Sequence, residues 1–177
     1  MTLTLVTPPA AEVVTLDALR DHLRVTGTSE NDVIRAMQAA AVGYLDGWHG
    51  VLGRAILPQV WRQEFGGWGV LPLALPDVTA VAVTWLDADG NEQPADSAVL
   101  RKCGPAYVVE ASGPSAASRV FVNMTCGLPA ERIEAARIVV KMLVAHWYSN
   151  REAVGAPMAE VPLSAEALIG ALRWRQV

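Results

Sequence analysis

The longest helical periodicity in the chain runs from Glu131 to Glu152, where Ile133, Ala136, Val140, Leu143 and Trp147 recur at three- and four-residue intervals. Glu134, Arg137 and Lys141 gather on a second face, while Ile138, Val139, Met142, Val144 and Ala145 make most of the remaining circumference apolar. A helix that is apolar around so much of its surface is covered on more than one side, which predicts a central helix over about 130–150. Two shorter patterns precede it. Thr15 is placed to cap a helix over about 15–24, with Leu16, Leu19 and Leu23 on one face and Asp17 in the first turn. After Gly27, Ser29-Glu30-Asn31-Asp32 has a capping-box-like order and opens a helix over about 30–47. Its stripe is Val33, Ile34, Met37, Ala40, Ala41, Tyr44, Leu45 and Trp48. Val33, Met37, Tyr44, Ile133, Val140, Leu143 and Trp147 are therefore expected to meet in one antiparallel helical core.

Between these helices the pattern changes to alternation, broken by Gly and Pro. Strands are expected within Ile56 to Phe65, at Val81, Val83 and Trp85, at Tyr107 to Glu110 and at Val120 to Met124. Asp89-Gly90 signals a hairpin whose returning strand is expected around Ser97 to Lys102. Gly66-Gly67-Trp68-Gly69 reads as a turning connection. Beyond a connector from Ala153 to Pro162, Ser164 is placed to cap a last helix carrying Leu168, Ile169, Leu172 and Trp174, with Arg173 and Arg175 making its end basic. The predicted class is α+β: an antiparallel helical core with a β-hairpin or small antiparallel sheet arm over about 56–125 and a short C-terminal helix. In domain terms this is a single domain over 1–163 with a β region inserted at 51–128, followed by a tail over 164–177.

Composition sharpens this in a few places. The hydrophobic share of 52% against 18% charge excludes a disordered chain and leaves an apolar surplus that association with other copies would hide. A net charge of −4 encodes no general capture of nucleic acid. Arg137 and Lys141 interrupt the central helix well short of the roughly 20 apolar residues of a bilayer span, so no membrane segment is expected. Cys103 and Cys126 lie outside any CxxC and have no His at ligand spacing, which predicts reduced, mostly packed thiols. The start, MTLTLVTPPAAEVV, lacks the basic residues and apolar run of a secretion signal, so the protein is expected to act where it is made.

Catalytic signatures are not found. His22, His49 and His146 stand in three separate helical contexts, without an HExxH, a nucleophile elbow or a Cys-His pair. The glycines around Trp68 lack the Lys and Ser/Thr of a P-loop, and Asp87, Asp89 and Glu92 depart from EF-hand order. No catalytic residue, metal ligand or cofactor is predicted. The cluster His146-Trp147-Tyr148-Ser149-Asn150-Arg151-Glu152 admits two readings. In one, His146 is a base or metal ligand helped by Arg151 or Glu152, and the chain is a small enzyme subunit or ligand-binding regulator with a pocket near His146. In the other, the rings anchor a core or interface and Arg151 meets the negative end of the helix dipole. The second needs no partner ligand or nucleophile, and none stands at the spacing that a metal or catalytic site requires.

Three stretches carry a resemblance. They are Leu5-Val6-Thr7-Pro8-Pro9 with the Leu16 to Leu23 helix and the run from His22 to Asp32; Gly53-Arg54-Ala55-Ile56 leading to Gln59-Val60-Trp61; and the run from Ala145 to Val154 followed by Val161-Pro162-Leu163 and a basic-ended helix. Together they resemble, over nearly the full chain, the head-to-tail connector (adaptor) proteins of long-tailed bacteriophages and related gene transfer agents. The closing region departs from that pattern, with Leu172-Arg173-Trp174-Arg175 where a tyrosine region is usual. The resemblance implies a virion structural protein rather than an enzyme, made in the bacterial cytoplasm and placed at the head-tail junction. It implies a ring of about twelve copies that binds the portal and the next tail component, a stopper or tail terminator. DNA would pass through that ring on ejection without being held. On this view Leu168, Ile169, Leu172, Arg173, Trp174 and Arg175 dock the portal, and Trp68, Trp85, Asp89, Gly90, Trp147, Tyr148 and Arg151 contact neighbouring subunits or the tail.

Overall fold

The computed structural model describes residues 2–115, 117, 119–150 and 162–174. They fall into two compact units: a sheet unit from the first ten residues and 57–128, and a helical unit from 11–56 and 129–175.

The helical unit contains α1 (Leu16–Leu23), α2 (Asn31–Leu45), α3 (Ala130–Ser149) and α4 (Leu163–Leu172). Thr15 caps α1 as expected, its hydroxyl accepting from the Ala18 N–H at 3.3 Å. The opening of α2 differs from expectation. Glu30 stands at the N-cap and no side chain accepts there, so the capping-box order is not used. The covered row of α2 is Ile34, Gln38, Ala41 and Leu45, whereas Val33 and Tyr44 are 38% and 42% exposed. One packing surface covers a row at i, i+4, i+7 and i+11, narrower than the apolar stripe of the sequence. Gln38 enters that row because its Nε2 donates to the Val14 carbonyl, which offsets the cost of burying an amide.

Helix α3 is the hub of this unit, with α1, α2 and α4 all packed on it. Ala136, Val139, Val140, Leu143 and Val144 are buried, two adjacent rows rather than one, while Ile133 and Trp147 are half-buried near its ends. Pro162 stands at the N-cap of α4, and Ser164 does not cap it. Ala165, Ile169 and Leu172 bury its i, i+4, i+7 row. Past its end the Trp174 N–H donates to the Leu52 carbonyl at 2.7 Å, and Arg173 Nε donates to the Val51 carbonyl at 2.9 Å. Gly53, at φ 61, supplies the left-handed turn of the 51–54 segment on which that end rests.

The sheet unit holds eight strands: β1 (Leu3–Thr7), β2 (Gln59–Phe65), β3 (Gly69–Pro72), β4 (Val78–Leu86), β5 (Glu92–Pro94), β6 (Ser97–Cys103), β7 (Ala106–Ser112) and β8 (Val120–Cys126). They form a five-stranded sheet in the order β1-β2-β8-β4-β5 and a three-stranded sheet in the order β3-β7-β6, antiparallel throughout. The inner face of the larger sheet is a ladder of buried residues: Trp61 opposite Met124, and Gln63 opposite Val122, which also faces Val83. Gln63 is fully buried because both ends of its amide are used, Nε2 donating to the Pro72 carbonyl at 2.9 Å and Oε1 accepting from the Ala74 N–H at 3.0 Å. The Asp89-Gly90 hairpin forms, but its return differs from expectation. Leu86 already faces Glu92, and β5 ends at Pro94, which has no N–H to extend the ladder. The run from Ser97 pairs instead with β7 in the second sheet.

Candidate inter-subunit and docking surfaces

The outer face of the five-stranded sheet is closed by two charged clamps over one ring. Arg62 on β2 reaches across β8 and β4 to β5: its Nε donates to Asn123 Oδ1 at 2.9 Å and its two terminal nitrogens to Glu92 Oε1 and Oε2 at 2.7 and 3.2 Å. Thr84 Oγ1 donates to the same carboxylate at 3.0 Å. Arg119 Nε donates to Glu64 Oε1 at 2.6 Å. Both guanidinium groups lie over Phe121, at 5.0 and 5.3 Å from its ring centre, and leave that ring 7% exposed. The Arg62 bonds hold the Glu92 carboxyl below the usual range, the Arg119 bond does the same for Glu64, and Glu64 raises Arg119 in return.

At the hairpin tip Asp87 organises the turn. Its Oδ1 accepts from the Asp89 and Asn91 N–H groups at 3.0 and 2.8 Å, and its Oδ2 from Gln93 Nε2 at 3.0 Å. These bonds, the one from Gln93 first, lower the Asp87 carboxyl. Gly90 takes φ 82, and the Asp89 side chain is left exposed. Trp85, half-buried, stands opposite Gln93 at the base of the tip. Trp68 is fastened to its own unit: Nε1 donates to the Pro114 carbonyl at 2.8 Å, and its ring lies where a Cβ on Gly113 would come within 2.2 Å. Only glycine at 113 admits that ring.

In the helical unit His146, Trp147 and Tyr148 are half-buried in the last turns of α3. Asn150 finishes the helix, with Nδ2 donating to the His146 carbonyl at 2.7 Å. Arg151 and Glu152 lie outside the described residues, as does Arg175. On the tail, Ile169 and Leu172 are 5% and 3% exposed, so these two of the expected docking residues are covered within their own unit. Leu168 and Trp174 are half-buried, Trp174 with the Arg54 guanidinium 5.9 Å from its ring centre. Arg173 is exposed and Leu163 82% exposed, and a cleft of about 280 Å³ opens between Tyr44, Glu166, Ile169, Gly170 and Arg173.

No family model and no curated protein matches the sequence. Solved structures do. A chain in the neck of an empty gene transfer agent particle, computed with C6 symmetry, matches with a TM-score of 0.75 at 26% identity, covering 100% of this chain and 97% of that one. A chain in the virion of a native gene transfer agent particle matches at 0.72 and 26%, with the same coverage. A third, in the neck of a native particle computed with C12 symmetry, matches at 0.67 and 25%. This is the fold of a gene transfer agent neck protein. The resemblance to head-to-tail connectors is borne out over the whole chain, and the neighbours support a structural component of the virion neck.

Seen as a neck fold, the chain carries surface features that its sequence did not single out. The exposed large apolar residues of the sheet unit are Leu5 (41%), Val6 (50%), Val70 (65%) and Val99 (48%) among the described residues. They lie on β1, β3 and β6, each at the edge of its sheet. Alternation predicts strands but does not separate edge strands from inner ones, so nothing in the sequence marks these residues. Among the described residues no helix is long and apolar enough to cross a membrane.

Proposed function

We propose that this protein is the ring-forming head-to-tail adaptor of a gene transfer agent or phage-like particle. Copies join in a ring beneath the portal, bind the next tail component, a stopper or tail terminator, and leave a channel for DNA. The observation that carries this reading is the full-length match to chains in gene transfer agent particles, two of them in necks computed with C6 and C12 symmetry. The tail is the portal-docking element. Leu168, Arg173, Trp174 and Arg175 are the docking residues, helped by exposed Leu163 at the start of α4, while Ile169 and Leu172 are buried within the helical unit. Trp85, Asp89 and Gly90 at the hairpin, Trp68 before β3, Trp147 and Tyr148 in the last turns of α3, and Arg151 contact neighbouring subunits or the tail. The net charge of −4 suits a conduit through which a polyanion slides.

Particle fractionation tests this. The protein is expected to co-sediment with portal and tail proteins in fixed stoichiometry, and particles lacking it should hold packaged DNA poorly and carry no tail. A chain recovered only in the free protein fraction, with complete particles forming in its absence, would overturn the proposal.

A further inference from the structure

A closed ring of more than two copies needs two different, complementary patches on every subunit, since each copy meets one neighbour with one surface and the next with another. One segment of the sheet unit carries such a pair. From residue 87 to 100 the only charged side chains are Asp87, Asp89, Glu92 and Asp96; Arg101 and Lys102 follow, with no acid until Glu110. The acidic half makes the β4-β5 hairpin and the basic half is β6. Strands β5 and β6 are consecutive, and each is the edge of its own sheet, so residues 92–103 present an open backbone edge in both sheets.

We infer that in the ring the acidic hairpin tip of one copy docks on the basic β6 edge of the next, which rests on the ring reading above. Within one chain the two ends are not matched to each other. Glu92 is neutralised by Arg62 and Asp87 is bonded into its own turn, which leaves the exposed carboxylates of Asp89 and Asp96. On β6, Arg101 pairs with Glu110 at 2.9 Å and Lys102 Nζ lies 5.7 Å from the Tyr107 ring centre. The receiving face also has apolar ground. Val70 and Val99 both face Glu110 in one cross-strand row, 65% and 48% exposed, and Arg101 follows on the same face. The charge of Arg101 is taken up by Glu110, which stands between the valines, so the positive charge of the edge comes from Lys102 on the other face of β6. Two exposed valines and that edge cation suit a small acidic turn such as Ala88-Asp89-Gly90.

A native thiol makes the contact testable in particles. Cys103 at the end of β6 is exposed, whereas Cys126 is buried. In particles carrying D89C, mild oxidation is expected to link Cys103 of one copy to the new thiol of the next, giving a ladder of covalent multimers on a non-reducing gel that C103S abolishes. In purified protein with portal, D89K and K102E should each raise the concentration needed for ring formation by about fivefold or more. The D89K/K102E pair should return it to within about twofold of the parent, with melting temperatures showing that every variant folds. Rings that form without a ladder and ignore the single charge changes would overturn this contact and leave the ring standing, and an intrachain link would do the same. Absence of any ring from the parent chain, alone, with portal or in particles, would overturn both.

Discussion

The two units of this chain expose apolar side chains for different reasons. In the helical unit α3 buries two adjacent rows, and the large apolar residues left outside among the described residues, Val33, Tyr44, Ile138 and Leu163, belong to helices, where the backbone pairs along its own ladder except in the end turns. In the sheet unit the corresponding residues sit on edge strands, where the outer N–H and C=O groups lack a ladder partner as well. A helix leaves only side chains for a partner to cover; an open strand leaves side chains and backbone together. Among the described residues the helical unit accordingly leaves apolar side chains alone uncovered, and the sheet unit leaves them on strands with an open edge.

The largest expected effect tests the first half of that contrast. Leu143 is fully buried in the helix on which the other three pack. Leu143→Ala is expected to cost about 2–5 kcal/mol in denaturant unfolding, because the surrounding helices cannot all close on the space left behind. A loss below about 1 kcal/mol would break the picture of α3 as a hub.

A smaller effect separates the units by pH. Glu64 and Glu92 have carboxyls lowered in the folded state from an ordinary value of 4.5. A group lowered on folding contributes stability that is complete above the ordinary carboxylate range and is lost as pH falls through the folded value. The Arg62 and Arg119 clamps should therefore hold at neutral pH and release only as pH falls below the ordinary carboxylate value of 4.5. In the helical unit Arg20 with Asp17, Arg35 with Asp32 and Arg137 with Glu134 are one-turn surface pairs of little weight. On acidification, hydrogen exchange should show β5 and β8 amides losing protection before those of α3, and the E64Q/E92Q variant should lose the pH dependence of that step. If α3 opens first, the clamps are not what holds the sheet.

The helices were legible because a 3.6-residue period over many residues has one meaning. What period alone missed was Gln38, a polar residue in a buried row, since its bond to the Val14 carbonyl depends on a segment 24 positions away. Gln63 is the same case in the sheet, its amide tied to Pro72 and Ala74. The returning strand was misplaced because alternation identifies strands and leaves their partners open; Pro94 marks where β5 stops, yet nothing local says that Ser97 starts a second sheet. The surface residues divide in the same way. Asp89 and Gly90 are visible as a turn in any reading, whereas Val70 and Val99 become a pair only once both are registered on Glu110.

The smallest expected effect sharpens the comparison at those two residues. Val70 and Val99 are 65% and 48% exposed on strands already paired along their other side, so replacing each by threonine keeps the β-branched shape and removes a methyl that largely faces water. V70T, V99T and the double variant should melt within about 0.5 kcal/mol of the parent. The same change at a covered position of that sheet, Val109 on the other face of the central strand β7 at 0% exposure, should cost more, since a hydroxyl would then enter the packed side. Calorimetry on the purified chain decides the matter. If V70T and V99T destabilise as much as V109T, that face is already covered within the chain, and the sheet unit is as self-sufficient as the helical one.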